Sequence, residues 1–294
     1  METSILSEVL LPIAIVLIMI SMGMTLTGGD FRRLLGQKTA VGVGLFSQLL
    51  ILPALGFLVA WVFGLAPVFA LGMVLLVASP GGSTSNLIVH VSNADRALSL
   101  TLTAISNVAV FVSMPVLVAL GQRAFGDLDG TASVPVVELI VQIAALTIVP
   151  IAIGMFVRAR KAEFAIRMEE PAKRLASVVF IAIVVLLVIQ NWGTIVDEAP
   201  EFGPAFVALN VLALAAGWGV ATAFGLTAKE VTTIAIETGI QNSTLSIAIA
   251  LSVFNSDELA LVPGLYGLWM LFTGFGFAYV MKSRNSTDTN VFAH

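Results

Sequence analysis

The sequence has no cysteine and only two histidines among its 294 residues. Without cysteine there is no disulfide, no thiolate nucleophile and no sulfur-ligated metal. His90 and His294 alone are too few for a histidine-rich metal site. Charge is also scarce: 11% of residues are charged against 58% hydrophobic, and mean hydropathy is +1.02. So few charges cannot cover the surface of a water-soluble fold. Net charge is only -4, and no basic cluster is interleaved with exposed aromatics, so nucleic acid is not an expected partner. The chain also lacks an HExxH zinc motif and a GxSxG nucleophile elbow, and Gly42-x-Gly44 and Gly274-x-Gly276 lack the rest of a dinucleotide fingerprint. These absences argue against an enzyme and leave an all-α integral membrane protein.

Cutting at the charged breaks leaves about nine apolar segments, each long enough to cross a hydrocarbon core of ~30 Å. They run from Val9 to Leu26, Thr39 to Gly64, Pro67 to Ser92, Ala97 to Gly121, Val134 to Val157, Leu175 to Trp192, Phe202 to Gly225, Val231 to Phe254 and Leu259 to Met281. Met1 to Glu8 carries no Lys or Arg, unlike a secretory or transit leader, so the first segment is expected to be retained. With nine crossings, thirteen of the fourteen basic residues fall on one side. Arg123 stands on the other side with Asp127, Asp129, Asp197, Glu198, Glu201, Asp257 and Glu258. The asymmetry predicts a multi-pass protein of the cell inner (plasma) membrane, with its N-terminus outside and its C-terminus cytoplasmic. The reading is one transmembrane domain over 1–294, with core motifs at 67–121 and 231–281, a cytoplasmic loop from Arg158 to Arg174 and a polar, disordered tail over 283–294. Trp61 and Trp192 read as interface anchors, and Met19, Met22 and Met24 as core packing.

Two segments are interrupted by polar residues. In the third, Ala78-Ser79-Pro80-Gly81-Gly82-Ser83-Thr84-Ser85-Asn86 combines a proline lacking its N–H with two flexible glycines. In the eighth, Glu237-Thr238-Gly239-Ile240-Gln241-Asn242-Ser243 places a carboxylate among hydrocarbon. A charge at the bilayer centre costs roughly 2.5–3.5 kcal/mol on insertion scales, so it is normally partnered and functional. The expected partner is a bound cation. Both segments are predicted to be discontinuous helices, and they lie an odd number of crossings apart. They therefore traverse the membrane in opposite senses, as an inverted repeat requires, and broken helices at matching positions point to a transporter's binding site.

Pro80 to Asn86, followed by Ala97-Leu98-Ser99 and Thr103 and later by Glu237 to Ser243, resembles the bile acid:sodium symporter family. Ser21-Met22-Gly23-Met24-Thr25-Leu26 with Asp30-Phe31 is similar to the end of an early helix in that family. The likeness runs from about Ile13 to Met281. It implies nine or ten helices, two of them discontinuous and crossed, and two sodium ions that drive uptake of an organic anion. Carried over residue by residue, one sodium site would use Ser85, Asn86, Ser99, Thr103 and Glu237. The second would use Gln48, Glu237 and Gln241, with the carbonyls of Thr238 and Ile240.

Hard cations favour carboxylate, amide, hydroxyl and carbonyl oxygens, all of which these residues offer. Ser99 and Thr103, four apart, share one helix face. Half-helices restarting near mid-membrane would aim N–H groups and positive dipole ends at an anion, which places Ser83, Thr84 and Asn242 near substrate. His90 reads as a packed or pore-edge residue and Glu138 as solvated near a helix end. The resulting expectation is alternating-access symport of sodium with a bile-acid-like steroid or a small carboxylate such as pantoate or a 2-oxo acid. A core holding both breaks would move against the first, fifth and sixth helices, with lipid around both. A proton-coupled anion carrier using Glu237 stays open, as do a channel and a membrane enzyme.

Overall fold

The computed structural model describes residues 11–25, 37–126 and 136–287, and among them every regular element is helical. The early motif at Leu26, Asp30 and Phe31 lies outside the described residues. The first elements are α1 (Leu11–Thr25), α2 (Lys38–Phe46), a π-helical turn (Ser47–Ile51), α3 (Leu52–Val62), α4 (Pro67–Val77), α5 (Ser83–Val91) and α6 (Arg96–Phe125). There follow α7 (Val136–Arg160), α8 (Ala162–Gln190), α9 (Trp192–Ala223), α10 (Ala228–Gly239), α11 (Ser243–Ser252) and α12 (Asp257–Thr287). Among the described residues four stretches are long and apolar enough to cross a membrane: Lys38–Val62, Trp192–Ala223, Ala228–Ser252 and Asp257–Asn285. Arg96–Val110 and Val112–Phe125 make a fifth if counted as one span, bent by 58°. Pro115 accounts for the bend, because it has no N–H for the carbonyl one turn earlier.

Local sequence sets these boundaries. Pro67 opens α4, where a missing N–H costs nothing, and Glu201 of α9 accepts a hydrogen bond from the Ala66 N–H at 2.7 Å. Asp95 caps α6 by accepting from the N–H groups of Ala97 and Leu98 at 2.9 and 3.0 Å. Thr227 and Glu230 form a capping box at the start of α10. The chain leaves α3 and α9 through Gly64 (φ 65) and Gly225 (φ 67), a left-handed conformation that glycine adopts without penalty.

The break in the third segment falls at 78–82 and that in the eighth at 240–242. Landmarks on either side recur in order. Gly64, Pro67, Ser83, the left-handed Asn93 and Arg96 correspond to Gly225, Ala228, Ser243, the left-handed Asn255 and Asp257, at an offset constant to within two residues.

Three connections differ from the sequence expectation. The region 158–174 is helical, with α7 and α8 separated only by Lys161, because Ala162, Glu163, Ala165, Arg167 and Met168 all favour helix. α9 begins at Trp192 and runs through Asp197, Glu198 and Pro200, where a loop was expected before Phe202. The tail expected to be disordered over 283–294 is helical as far as Thr287, and 288–294 lie outside the described residues.

Packing centres on α4, whose residues from Phe69 to Val77 are all buried. A helix that is apolar all round belongs inside a bundle. It packs against α3, α6, α11 and α12. α1 packs mainly against α7 and α8, with a smaller contact to α11, and its Gly23 meets Gly154 of α7 at backbone contact. Facing outward, Val108, Val112, Val116 and Leu120 form an exposed stripe along α6, and Trp61, Phe272 and Tyr279 are more than half exposed. Apolar surface on this scale is expected of a bilayer-facing protein.

The end of α12 is tied to the turn after α5. Asn285 is buried, donates from Nδ2 to the Ser92 carbonyl at 2.8 Å and accepts from Thr232 Oγ1 at 3.3 Å. Asn285→Leu leaves that carbonyl unsatisfied and should destabilise the protein by about 1–3 kcal/mol, read as a lower melting temperature in detergent.

Candidate functional site

The two breaks meet. The Asn242 N–H donates to the Ser79 carbonyl at 3.0 Å, and Ser246 Oγ of α11 donates to the Leu75 carbonyl of α4 at 3.2 Å. At Gly81 a side chain would not fit, because an added Cβ would lie 2.8 Å from Ser85 Oγ, 2.9 Å from the Ile240 carbonyl oxygen and 3.2 Å from Glu237 Oε2. Glycine is required here by the closeness of the two chains.

Glu237 is fully buried in the last turn of α10, and three elements bring oxygen and nitrogen to it. From α6, Ser99 Oγ lies 2.6 Å from Oε1 and Thr103 Oγ1 lies 3.4 Å from Oε2. From α5, Asn86 reaches Ser99 through Oδ1 at 2.6 Å and Thr103 through Nδ2 at 3.4 Å. From the π-helical turn, Gln48 Nε2 donates to the Glu237 backbone carbonyl at 3.1 Å and to Oε2 at 3.2 Å. Pro53 follows this turn closely and supplies no N–H to the Leu49 carbonyl, a local reason for the widened geometry. Ser85 Oγ donates to the Gly82 carbonyl at 2.8 Å, at the edge of the same cluster.

This donor set fits a cation. Ser99 Oγ is equally close to Glu237 Oε1 and Asn86 Oδ1, yet one hydroxyl has one proton to give. Three further amide oxygens, Gln48 Oε1 and Gln241 Oε1 beside the cluster and Asn210 Oδ1 behind the eighth-segment break, are buried with no hydrogen-bond partner among the described residues. Unsatisfied buried acceptors cost roughly 1–3 kcal/mol each, and a hard cation would satisfy the two beside the cluster. Gln241 Nε2 donates to the Thr238 carbonyl at 2.6 Å, while Thr238 Oγ1 bonds back to Ile234 at 2.7 Å. The Ile240 carbonyl faces Gly81 across the crossing.

The three residues expected near substrate are less alike. Asn242 caps α11, accepting from the Leu245 N–H at 3.1 Å, and Thr84 is half-buried in the first turn of α5. The Ser83 side chain lies outside the described residues, as does that of Glu138. His90 is exposed at the end of α5 rather than packed.

Several polar contacts around the site are not anticipated from the sequence. Asp95 N–H donates to Thr233 Oγ1 at 2.9 Å, and Gln37 Nε2 donates to Asp95 Oδ2 at 2.9 Å. Asp95 is four residues before Ser99, and Thr233 four before Glu237. That spacing is the signal that could have found them, since it continues the polar face of each helix by one turn. Asn210 and Tyr266, both buried, also reach the eighth-segment break.

Residues 12–198 match the profile of the Sodium Bile acid symporter family. The chain belongs to that family. It is a family of transporters rather than enzymes, and proteins similar to this chain occur in plants and mammals. The chain is 28% identical over 273 residues to a probable sodium/metabolite cotransporter BASS2, chloroplastic, of Oryza sativa subsp. japonica, covering 91% of this chain and 62% of that protein. It is 27% identical over 278 residues to the ileal sodium/bile acid cotransporter of Cricetulus griseus, covering 91% of this chain and 77% of the relative. To the ileal sodium/bile acid cotransporter of Homo sapiens it is 28% identical over 287 residues, covering 94% and 81%. The chain thus spans less than two thirds of the plant relative's length.

Proposed function

We propose that this protein is a sodium-coupled symporter that carries an organic anion across a cell membrane by alternating access. The observation that carries the reading is the oxygen cluster around buried Glu237, assembled where two discontinuous helices cross. One sodium would be held by Ser85, Asn86, Ser99, Thr103 and Glu237. A second would be held by Gln48, Glu237 and Gln241 with the carbonyls of Thr238 and Ile240. The unpartnered amide oxygens of Gln48 and Gln241 support the second set. The names of the relatives, sodium/bile acid and sodium/metabolite cotransporters, support sodium as the coupling ion.

The matching landmarks around the two breaks support an inverted repeat within nine crossings. The packing of α1 chiefly with α7 and α8 supports a panel against which the core moves. On this reading the basic side faces the cytoplasm, the N-terminus lies outside and the protein sits in the inner, or plasma, membrane. Sodium binding orders the crossing and so completes an anion site at the N-termini of α5 and α11, near Ser83, Thr84 and Asn242. The substrate would be a small carboxylate or a steroid-like bile anion.

The test is uptake into proteoliposomes of pantoate, a 2-oxo acid and taurocholate under an inward sodium gradient. Sodium-dependent accumulation of any of them is expected, and Asn242→Ala should raise the half-saturating anion concentration about tenfold, the equivalent of about 1.4 kcal/mol. Uptake driven by a pH gradient without sodium would replace this reading with proton coupling through Glu237.

A further inference from the structure

We infer that Asn210 of α9 and Tyr266 of α12 are positioning residues for sodium, acting through the Gly239 carbonyl at the end of α10. The inference rests on the sodium-coupled reading above. When α10 stops, its last carbonyls lose their helical partners, and each must find another. Those of residues 237–240 fan out to different neighbours. Glu237 O accepts from Gln48 Nε2, Thr238 O accepts from Gln241 Nε2, and Ile240 O faces Gly81. Gly239 O alone turns toward α9 and α12, where Asn210 Nδ2 donates to it at 3.1 Å and the Tyr266 hydroxyl donates at 3.3 Å.

The two clamp residues also hold each other. Asn210 Nδ2 donates its second hydrogen to the Tyr266 hydroxyl oxygen at 3.2 Å, closing a triangle with the carbonyl. The carbonyl can only accept, which fixes the NH2 end of the amide toward it. Both side chains are fully buried. The Tyr266 ring is itself held edge-on by Phe206 at 6.1 Å and 85°, so its hydroxyl is aimed before any ion arrives.

Adjacent peptide planes share a Cα, so fixing the Gly239 carbonyl restricts the directions open to the carbonyls of Thr238 and Ile240. These two are the backbone oxygens assigned to the second sodium. The clamp also mirrors Gln48 in an unequal way. By the offset that relates the two halves, Asn210 stands one position beyond the counterpart of Gln48, and both donate to the same break, one to Glu237 O and one to Gly239 O. By the same offset the counterpart of Tyr266 is Ile105, which has no donor to give, and the adjacent Ser106 hydroxyl donates back to the Leu102 carbonyl. The second break is therefore gripped from both halves of the repeat.

Outer groups that orient ligands typically alter metal affinity 10–100-fold when removed. The experiment is a sodium titration of the purified full chain in detergent, with choline replacing sodium and tryptophan fluorescence or melting temperature as the signal. Wild type, Glu237→Gln, Tyr266→Phe and Asn210→Leu are compared. Tyr266→Phe, which keeps the ring and removes one donor, should raise half-saturating sodium about tenfold, and Asn210→Leu about tenfold or more, on the same scale. A merely structural role would lower the melting temperature in choline and leave half-saturating sodium unchanged. That result in the folded Tyr266→Phe protein overturns the inference, whether or not Asn210→Leu folds. If wild type itself shows no sodium-specific response, the sodium-coupled reading falls and this inference falls with it. A sodium response lost in Glu237→Gln but unaltered in Tyr266→Phe sinks the clamp alone.

Discussion

Replacing Glu237 with glutamine should abolish the sodium response while leaving the folded protein as stable in sodium-free buffer as the wild type, or more so. The two effects have a common origin. In the native chain a carboxylate is fully buried with hydroxyl and amide groups around it but no basic residue within bonding distance among the described residues. Without a cation, an ionised group in that place is held against a large desolvation penalty. An amide of the same shape keeps a hydrogen-bonding partner for Ser99 and removes the charge, so the ion-free state gains. The bound state loses the one full negative charge that offsets two proposed sodium ions. At a concentration of 100 times Kd a single bound ion stabilises the native state by about 2.7 kcal/mol, and this increment should disappear in Glu237→Gln. Melting temperature in sodium and in choline measures both effects together. A variant that keeps the full sodium increment would remove Glu237 from the ion site and with it the proposed coupling.

The interruptions and the buried carboxylate were legible in the sequence because each violates a strong local rule. A proline with two glycines cannot continue a helix, and an acid does not enter hydrocarbon without a partner. Ser99 and Thr103 were singled out by the family resemblance, and their four-residue spacing then fixes which face they share. What the sequence hid were the contacts made across long separations. Gln48 was paired with Glu237 only through the family resemblance, and the π-helical turn that carries it is marked by nothing in Ser47 to Ile51 except the following Pro53. Asn210 and Tyr266 stand in long apolar helices without a motif, and only the packing of α9 and α12 on α10 brings them to Gly239. Helix ends near the polar loops were misjudged because charge was taken as the end of a helix. The stretch from Ala162 to Arg174 is charged yet rich in strong helix formers, and it continues as helix. The same error shortened α9 and α12, whose ends carry acidic or polar residues that tolerate helix well.

The crossing itself can be tested by adding a single methyl group. In Gly81→Ala the new Cβ meets a serine hydroxyl that can rotate away, but it also meets the Ile240 carbonyl oxygen at 2.9 Å, and that oxygen belongs to the backbone of the other break. The two chains must separate by some tenths of an ångström. Overpacking of this kind typically costs about 1–3 kcal/mol. Here it also pulls Ile240 O and Glu237 Oε2 apart from Ser85, so the sodium affinity should fall at least about tenfold, the loss that misplaced ligands produce at metal sites. The same substitution at Gly42 provides the control, because that glycine lies in α2 with nothing within 4 Å of the added atom. Alanine in an open helical position is favoured over glycine by about 0.5–1 kcal/mol, so Gly42→Ala should raise the melting temperature and leave sodium affinity unchanged. Opposite signs for one chemical change at two glycines would locate the sensitivity in the contact between the breaks rather than in glycine content. If Gly81→Ala were neutral in both stability and sodium affinity, the two discontinuous helices would not be in contact in the functioning protein, and an ion site shared between them would have no support.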